Sequence, residues 1–117
     1  MHGHCHQKSF AAFSPTLALL ARLPGVEVKA IESTCCGMAG LFGYQQETAA
    51  FSRRVAEVSL LPALAALPAG TEVLAEGFSC RHQIRDLAGR GARHPAEFLA
   101  ARLAAAARAQ PIRYQTM

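Results

Sequence analysis

The 117-residue chain predicts an α/β fold, a small parallel sheet with flanking helices. Two stretches predict it. "VEVKAIES", residues 26–33, and "TEVLAE", residues 71–76, are rich in β-branched residues and alternate in polarity, as half-buried strands do. The segments around them carry apolar residues three and four apart, as helices do. Strands separated by helices pair in parallel through crossover connections. Such a sheet needs cover on both faces, and the composition supplies it: 51% of the residues are hydrophobic, enough for one packed domain.

The elements follow in order. "FSPTLALLARLPG" reads as a short helix, with Ser14 as N-cap, Pro15 in the first turn and Leu17, Leu20 and Ala21 as its buried stripe. Pro24-Gly25 stops it, and the first strand runs from there to Ser33. "GMAGLFGY", residues 37–44, is a glycine-rich loop. Residues 46–67 have a helical pattern with Phe51, Val55 and Val58 inward, and Pro62 should kink or split it near Ser59. The second strand leads into a helix that starts near Ser79 and stops at Gly89 or Gly91. Pro95 opens a last helix that buries Phe98, Leu99 and Leu103, with His94 just ahead of it.

Ligand sites in parallel sheets lie beyond the carboxyl ends of the strands. Cys35 and Cys36 sit just past the first strand and Cys80 just past the second. By the same logic Cys5 should follow a strand, so an upstream strand of the parent domain is expected to be missing. On this reading residues 1–110 are a single domain, the C-terminal fragment of a larger protein, and 111–117 are a loose tail. Residues 1–8 would be mobile or held by a neighbouring chain. An exposed sheet edge makes a homodimer plausible.

Charge excludes more than it proposes. The net charge is +4, but the arginines are spread thinly and tryptophan is absent. Nucleic acid binding would call for a denser basic face with aromatic residues interleaved, so a solvated basic surface is the simpler reading. No apolar run approaches the ~20 residues that span a bilayer. The polar, histidine-rich start lacks the apolar core of a signal peptide and points to a cytoplasmic location.

The chemistry lies in "HGHCHQK", "STCCGMAGLFGY" and "GFSCRHQI". Cys5, Cys35, Cys36 and Cys80 are the chain's four cysteines, set beside Gly, His or Ser. Thiolates brought together from separate loops suit an iron–sulfur cluster or a closed zinc site. His2 is expected to be solvated. His4 or His6 would cap the site, and His82 would ligate or orient. Phe42, Tyr44, Phe51 and Phe78 would line the core or the site.

These three motifs resemble those of the cysteine-rich CCG domain. That domain occurs in iron–sulfur subunits of glycolate oxidase and anaerobic glycerol-3-phosphate dehydrogenase, in lactate-utilisation proteins and in the B subunit of heterodisulfide reductase. The chain is most similar to the C-terminal part of FAD-linked oxidoreductases that oxidise D-2-hydroxy acids such as D-lactate, glycolate or D-2-hydroxyglutarate. The resemblance covers residues 2–104. It implies an electron-relay domain with an iron–sulfur cluster, of the [4Fe–4S] type, on Cys5, Cys35, Cys36 and Cys80, with His4 and His82 as orienting or alternative ligands. It also implies FAD in a separate flavin domain as partner, a quinone or other acceptor downstream, and membrane association only through the parent complex. The fragment alone would not turn over substrate. One departure stands out: Gly77 occupies the place of the first cysteine in the family's Cys-x-x-Cys. The alternatives are a zinc-binding structural domain and a cluster-free docking domain of the same larger protein.

Overall fold

Residue alternation decides the sheet. The computed structural model describes residues 1–4, 8, 13–31 and 33–109. Strands β1 (Val73–Leu74) and β2 (Ala92–Arg93) pair in parallel, Val73 opposite Ala92 and Leu74 opposite Arg93. On the other edge of β1, His2 forms a parallel bridge with Ala75, and its N–H donates to Leu74 O at 2.9 Å. Beyond it, Met1 N donates to Lys29 O at 2.6 Å and Ile31 N–H donates to Met1 O at 2.9 Å. Residues 29 and 31 thus bracket Met1 as a parallel neighbour does. The backbone order is residues 29–31, residues 1–2, β1, β2.

Two expectations change here. Among the described residues of 26–33 no regular strand forms: the ladder-type backbone bonds run only to Met1, and Ser33 is held instead by the His2 ring and Lys8 Nζ. Of residues 1–8, expected to be mobile or held by a neighbouring chain, Met1, His2 and Gly3 are buried within their own chain, and 5–7 lie outside the described residues. Strand β2, two residues of mixed polarity, went unseen in the sequence.

Partners across a parallel ladder share a face and successive residues alternate. Val73, Ala75 and Ala92 therefore face one side, with His2 beside Ala75, while Leu74 and Met1 face the other. The first side is covered by α3 (Leu60–Ala65) and α4 (Phe78–Ala88), which pack Leu60, Leu64, Cys80 and Ile84 against Cys36 and Met38. The second is covered by α1 (Phe13–Ala21) and α5 (Pro95–Ala109) through Leu20 and Phe98. Burying Leu20 or Leu60 fully is worth about 1.5–3 kcal/mol each. The expected inward residues Ala21 and Leu103 are exposed.

The helical pattern over 46–67 divides at Ser59 into α2 (Ala49–Val58) and α3. Pro62 falls in the first turn of α3, where its missing N–H costs nothing. The buried face of α2 is not the expected one. Ser52 and Ala56 point inward, whereas Phe51 is 63% exposed and Val58 lies in solvent. The reason is polar: Ser52 Oγ donates to Gly37 O at 2.6 Å and accepts from Gln83 Nε2 at 2.9 Å, which turns the helix.

Gly89 ends α4 in the left-handed conformation (φ 65°), its N–H donating to Arg85 O. Nothing lies within 4 Å of a Cβ placed there, so the cost of a side chain is conformational only. Gly89→Ala is expected to lower stability by about 1 kcal/mol. The shift in urea midpoint at unchanged slope measures it.

Candidate metal centre

The loop after residue 33 is shaped around two sulfurs. Gly37 adopts φ 89°, which turns the chain so that successive N–H groups point back at the cysteines. Gly37 N–H donates to Cys35 Sγ at 3.3 Å and Met38 N–H to Cys36 Sγ at 3.4 Å. A Cβ on Gly37 would run into the Ser52 carbonyl oxygen. Gln83 Nε2 donates to Cys36 O at 2.9 Å as well as to Ser52 Oγ. The buried Ser52 and Gln83 side chains therefore hold the loop by its backbone, and the sulfurs do not have to.

Cys80 enters from the first turn of α4. Cys36 and Cys80 are each 2% exposed. His2 enters from the sheet. Its ring is 1% exposed, Nδ1 lies 2.6 Å from Ser33 Oγ, and Nε2 is buried without a hydrogen-bond partner among the described residues. One nitrogen of His2, Cys36 Sγ and Cys80 Sγ all lie within 4.8 Å of one another. Among the described residues no other three His, Cys, Asp or Glu side chains meet so closely.

The electrostatics suit a cation. The Cys80 thiol's hydrogen bond, more than any other contact, pulls the Cys36 pKa down from 9.0 to about 4; burial opposes it and the Met38 N–H assists, while the geometry forms no hydrogen bond between Cys36 and His2, whose Nε2 has no partner among the described residues. An ordinary thiol must give up its proton before it can bind metal. The lowered pKa of Cys36 eases that step. Two sulfurs and one imidazole, all buried, form a soft to borderline donor set, the kind that zinc and iron–sulfur centres take.

Other expected residues fall elsewhere. Cys35 is partly exposed and outside the compact group. Cys5 and His6 lie outside the described residues. His4 stands at the rim: a Cβ on Gly77 would strike its ring and lie 3.0 Å from Cys80 Sγ, so the ring fills the space where a residue-77 side chain would stand. His82 is part of a surface cluster instead. Its ring packs on Phe78 with centroids 4.1 Å apart, and its Nδ1 lies 3.2 Å from Tyr44 Oη and 3.0 Å from an Arg85 nitrogen. His94 Nδ1 accepts the Ala96 N–H at 3.0 Å, as the residue before a helix should. Tyr44, Phe51 and Phe78 are exposed rather than lining core or site, and Phe42 is half-buried with its ring edge-on to Phe51.

His2, expected to be solvated because chain ends fray, is buried instead. The signal that could have found it is alternation: in an extended "MHGH" the two histidines share a face.

Comparison with known proteins gives dehydrogenases. The chain is 34% identical over 99 residues to a D-2-hydroxyglutarate dehydrogenase of Escherichia coli (strain K12), 83% of this chain and 10% of that protein. It is 34% identical over 101 residues to the protein of the same name from Pantoea ananatis (strain AJ13355), 85% of this chain and 10% of that one. It is 39% identical over 46 residues to a subunit of the anaerobic glycerol-3-phosphate dehydrogenase of E. coli (strain K12), 39% of this chain and 12% of that protein. The chain thus spans about a tenth of the length of these curated relatives. No family model matches it. No solved structure matches it either. Among the described residues no helix is long and apolar enough to cross a membrane.

Proposed function

We propose that this chain is the metal-holding, electron-relay segment of an FAD-linked dehydrogenase that acts on a D-2-hydroxy acid. The observation that carries the reading is the meeting of Cys36 and Cys80 in a buried pocket beside an unpartnered imidazole nitrogen. The similarity to D-2-hydroxyglutarate dehydrogenases over most of the chain supports the reaction class and makes D-2-hydroxyglutarate, D-lactate and glycolate the substrates to try.

In this reading Cys36 and Cys80 anchor an iron–sulfur centre, Cys5 supplies a further thiolate, and the partly exposed Cys35, outside the compact group, contributes least. Such a centre supplies one-electron steps between a flavin, in a separate flavin domain, and a quinone or other acceptor. The chain's own residues do the rest. Gly37 and Met38 direct N–H groups at sulfur, which favours the thiolate and tunes what it binds. Leu60, Leu64 and Ile84 keep water from the floor of the pocket. The His4 ring closes the side where Gly77 leaves a gap.

The spacing of the donors favours a second reading. Two sulfurs bound to one tetrahedral zinc at about 2.3 Å stand about 3.8 Å apart. The three donors lie within 4.8 Å, which suits a single shared ion, whereas a cluster distributes its ligands over several irons. Anaerobic loading of the 117-residue chain decides between them. Uptake of iron and sulfide together, with the broad visible absorbance of thiolate-bound iron, is the expected result. One colourless zinc per chain and no iron would establish the structural reading. No metal under either condition would leave a docking domain.

A further inference from the structure

We infer that His2 is itself a metal ligand through Nε2, and that Ser33 is the residue that positions it. The inference rests on the reading that the pocket holds a metal, and it adds a nitrogen donor to a set otherwise made of sulfur.

Three observations carry it. First, the ring is 1% exposed and its Nε2 has no hydrogen-bond partner among the described residues. A buried polar atom left unmatched is costly, and native structures keep such atoms for a reason. Second, that ring belongs to the same group within 4.8 Å as Cys36 Sγ and Cys80 Sγ. Third, the opposite nitrogen is engaged. Nδ1 lies 2.6 Å from Ser33 Oγ, and Ser33 Oγ donates in turn to Ile31 O at 3.5 Å. For Nε2 to hold a metal, Nδ1 carries the proton and donates to Ser33 Oγ, whose own hydrogen can turn to Ile31 O. Ligating histidines are held in this way, the free N–H bonded to an acceptor that fixes ring and tautomer.

The backbone holds the whole device. His2 is clamped by its N–H bond to Leu74 O and by its bridge to Ala75. Lys8 Nζ donates to Ser33 O at 2.6 Å, which secures Ser33 beside the ring. His2 thus comes from the sheet, Cys36 from the glycine loop and Cys80 from a helix start, three elements that share one hydrophobic cluster. A neutral imidazole in place of one thiolate removes a negative charge from the donor set, which raises the reduction potential of an iron–sulfur centre.

The test uses the 117-residue chain loaded anaerobically with iron and sulfide, and separately with cobalt(II) alone. Pulsed electron paramagnetic resonance of the reduced, ¹⁵N-histidine-labelled wild type is expected to show strong nitrogen coupling, which needs no variant to fold. His2→Ala should abolish that coupling and weaken cobalt binding by more than about a hundredfold. Ser33→Ala should weaken it about ten- to a hundredfold and alter the nitrogen coupling, with Ser33→Thr restoring both. Wild type that binds metal with no nitrogen coupling, or His2→Ala that binds as tightly as wild type, overturns the inference and leaves the metal reading intact. Wild type that binds no metal sinks the metal reading itself and this inference with it.

Discussion

Gly37→Ala is expected to destabilise the chain by roughly 3–5 kcal/mol, enough to unfold a domain of ordinary stability. Two costs add. A non-glycine residue at φ 89° costs on the order of 1–2 kcal/mol in backbone strain alone. The new Cβ also strikes the Ser52 carbonyl oxygen, with Ser52 C at 3.1 Å and Gln83 Nε2 at 3.2 Å. The atom struck is backbone inside α2, so relief requires α2 and the loop to part. Parting them breaks the Ser52–Gly37 bond and strains the Gln83 bonds to Cys36 O and Ser52 Oγ, each a buried polar pair. Gly40→Ala is the matched control. Gly40 also has positive φ, 58°, but nothing lies within 4 Å of its Cβ, so only about 1–2 kcal/mol is at stake. Urea unfolding of both variants measures the difference. Near-equal losses would show that the contact with Ser52 does not constrain the loop.

The same loop shows what could and could not be read from the sequence. Residues that act locally were legible. Pro62 divided the long helical pattern at Ser59, Pro95 opened α5, and Gly89 stopped α4, because each fixes or frees its own backbone. Crossover topology placed Cys36 and Cys80 at one edge, and they do meet, although the first predicted strand does not form and Cys35 stays outside the group. What depends on a partner distant in sequence was not legible. Ser52 reads as a solvent-facing position until Gly37 and Gln83 are seen beside it, and so the wrong face of α2 was chosen. His2 reads as a frayed end until Leu74, Lys29 and Ser33 are seen to hold residues 1 and 2. Strand β2 is two residues long, too short for any period to register, and its identity comes from Val73 and Leu74 alone.

Cys36→Ser is expected to abolish metal uptake, while Cys35→Ser weakens it far less. The two residues are adjacent, and a count of cysteines treats them alike. The geometry does not. Cys36 Sγ is buried with Cys80 and His2 within 4.8 Å, whereas Cys35 is partly exposed and outside that group. Cys36 is also the sulfur whose pKa is drawn down to about 4, chiefly by the Cys80 thiol's hydrogen bond. A serine hydroxyl there stays protonated at neutral pH and is a poor ligand for a soft metal. Losing a partner that only orients a ligand costs ten- to a hundredfold in affinity, so losing the ligand itself should exceed about a hundredfold. The fold should survive the change, since serine is close in size and its oxygen can accept the Met38 N–H that Cys36 Sγ now takes. Metal per chain after anaerobic loading, with circular dichroism as the folding check, reads both variants. If Cys35→Ser loses metal as completely as Cys36→Ser, the centre spans both sulfurs, as a cluster would, and the compact trio is only part of its floor. If Cys36→Ser binds as wild type does, the pocket is a hydrophobic core that happens to contain thiols.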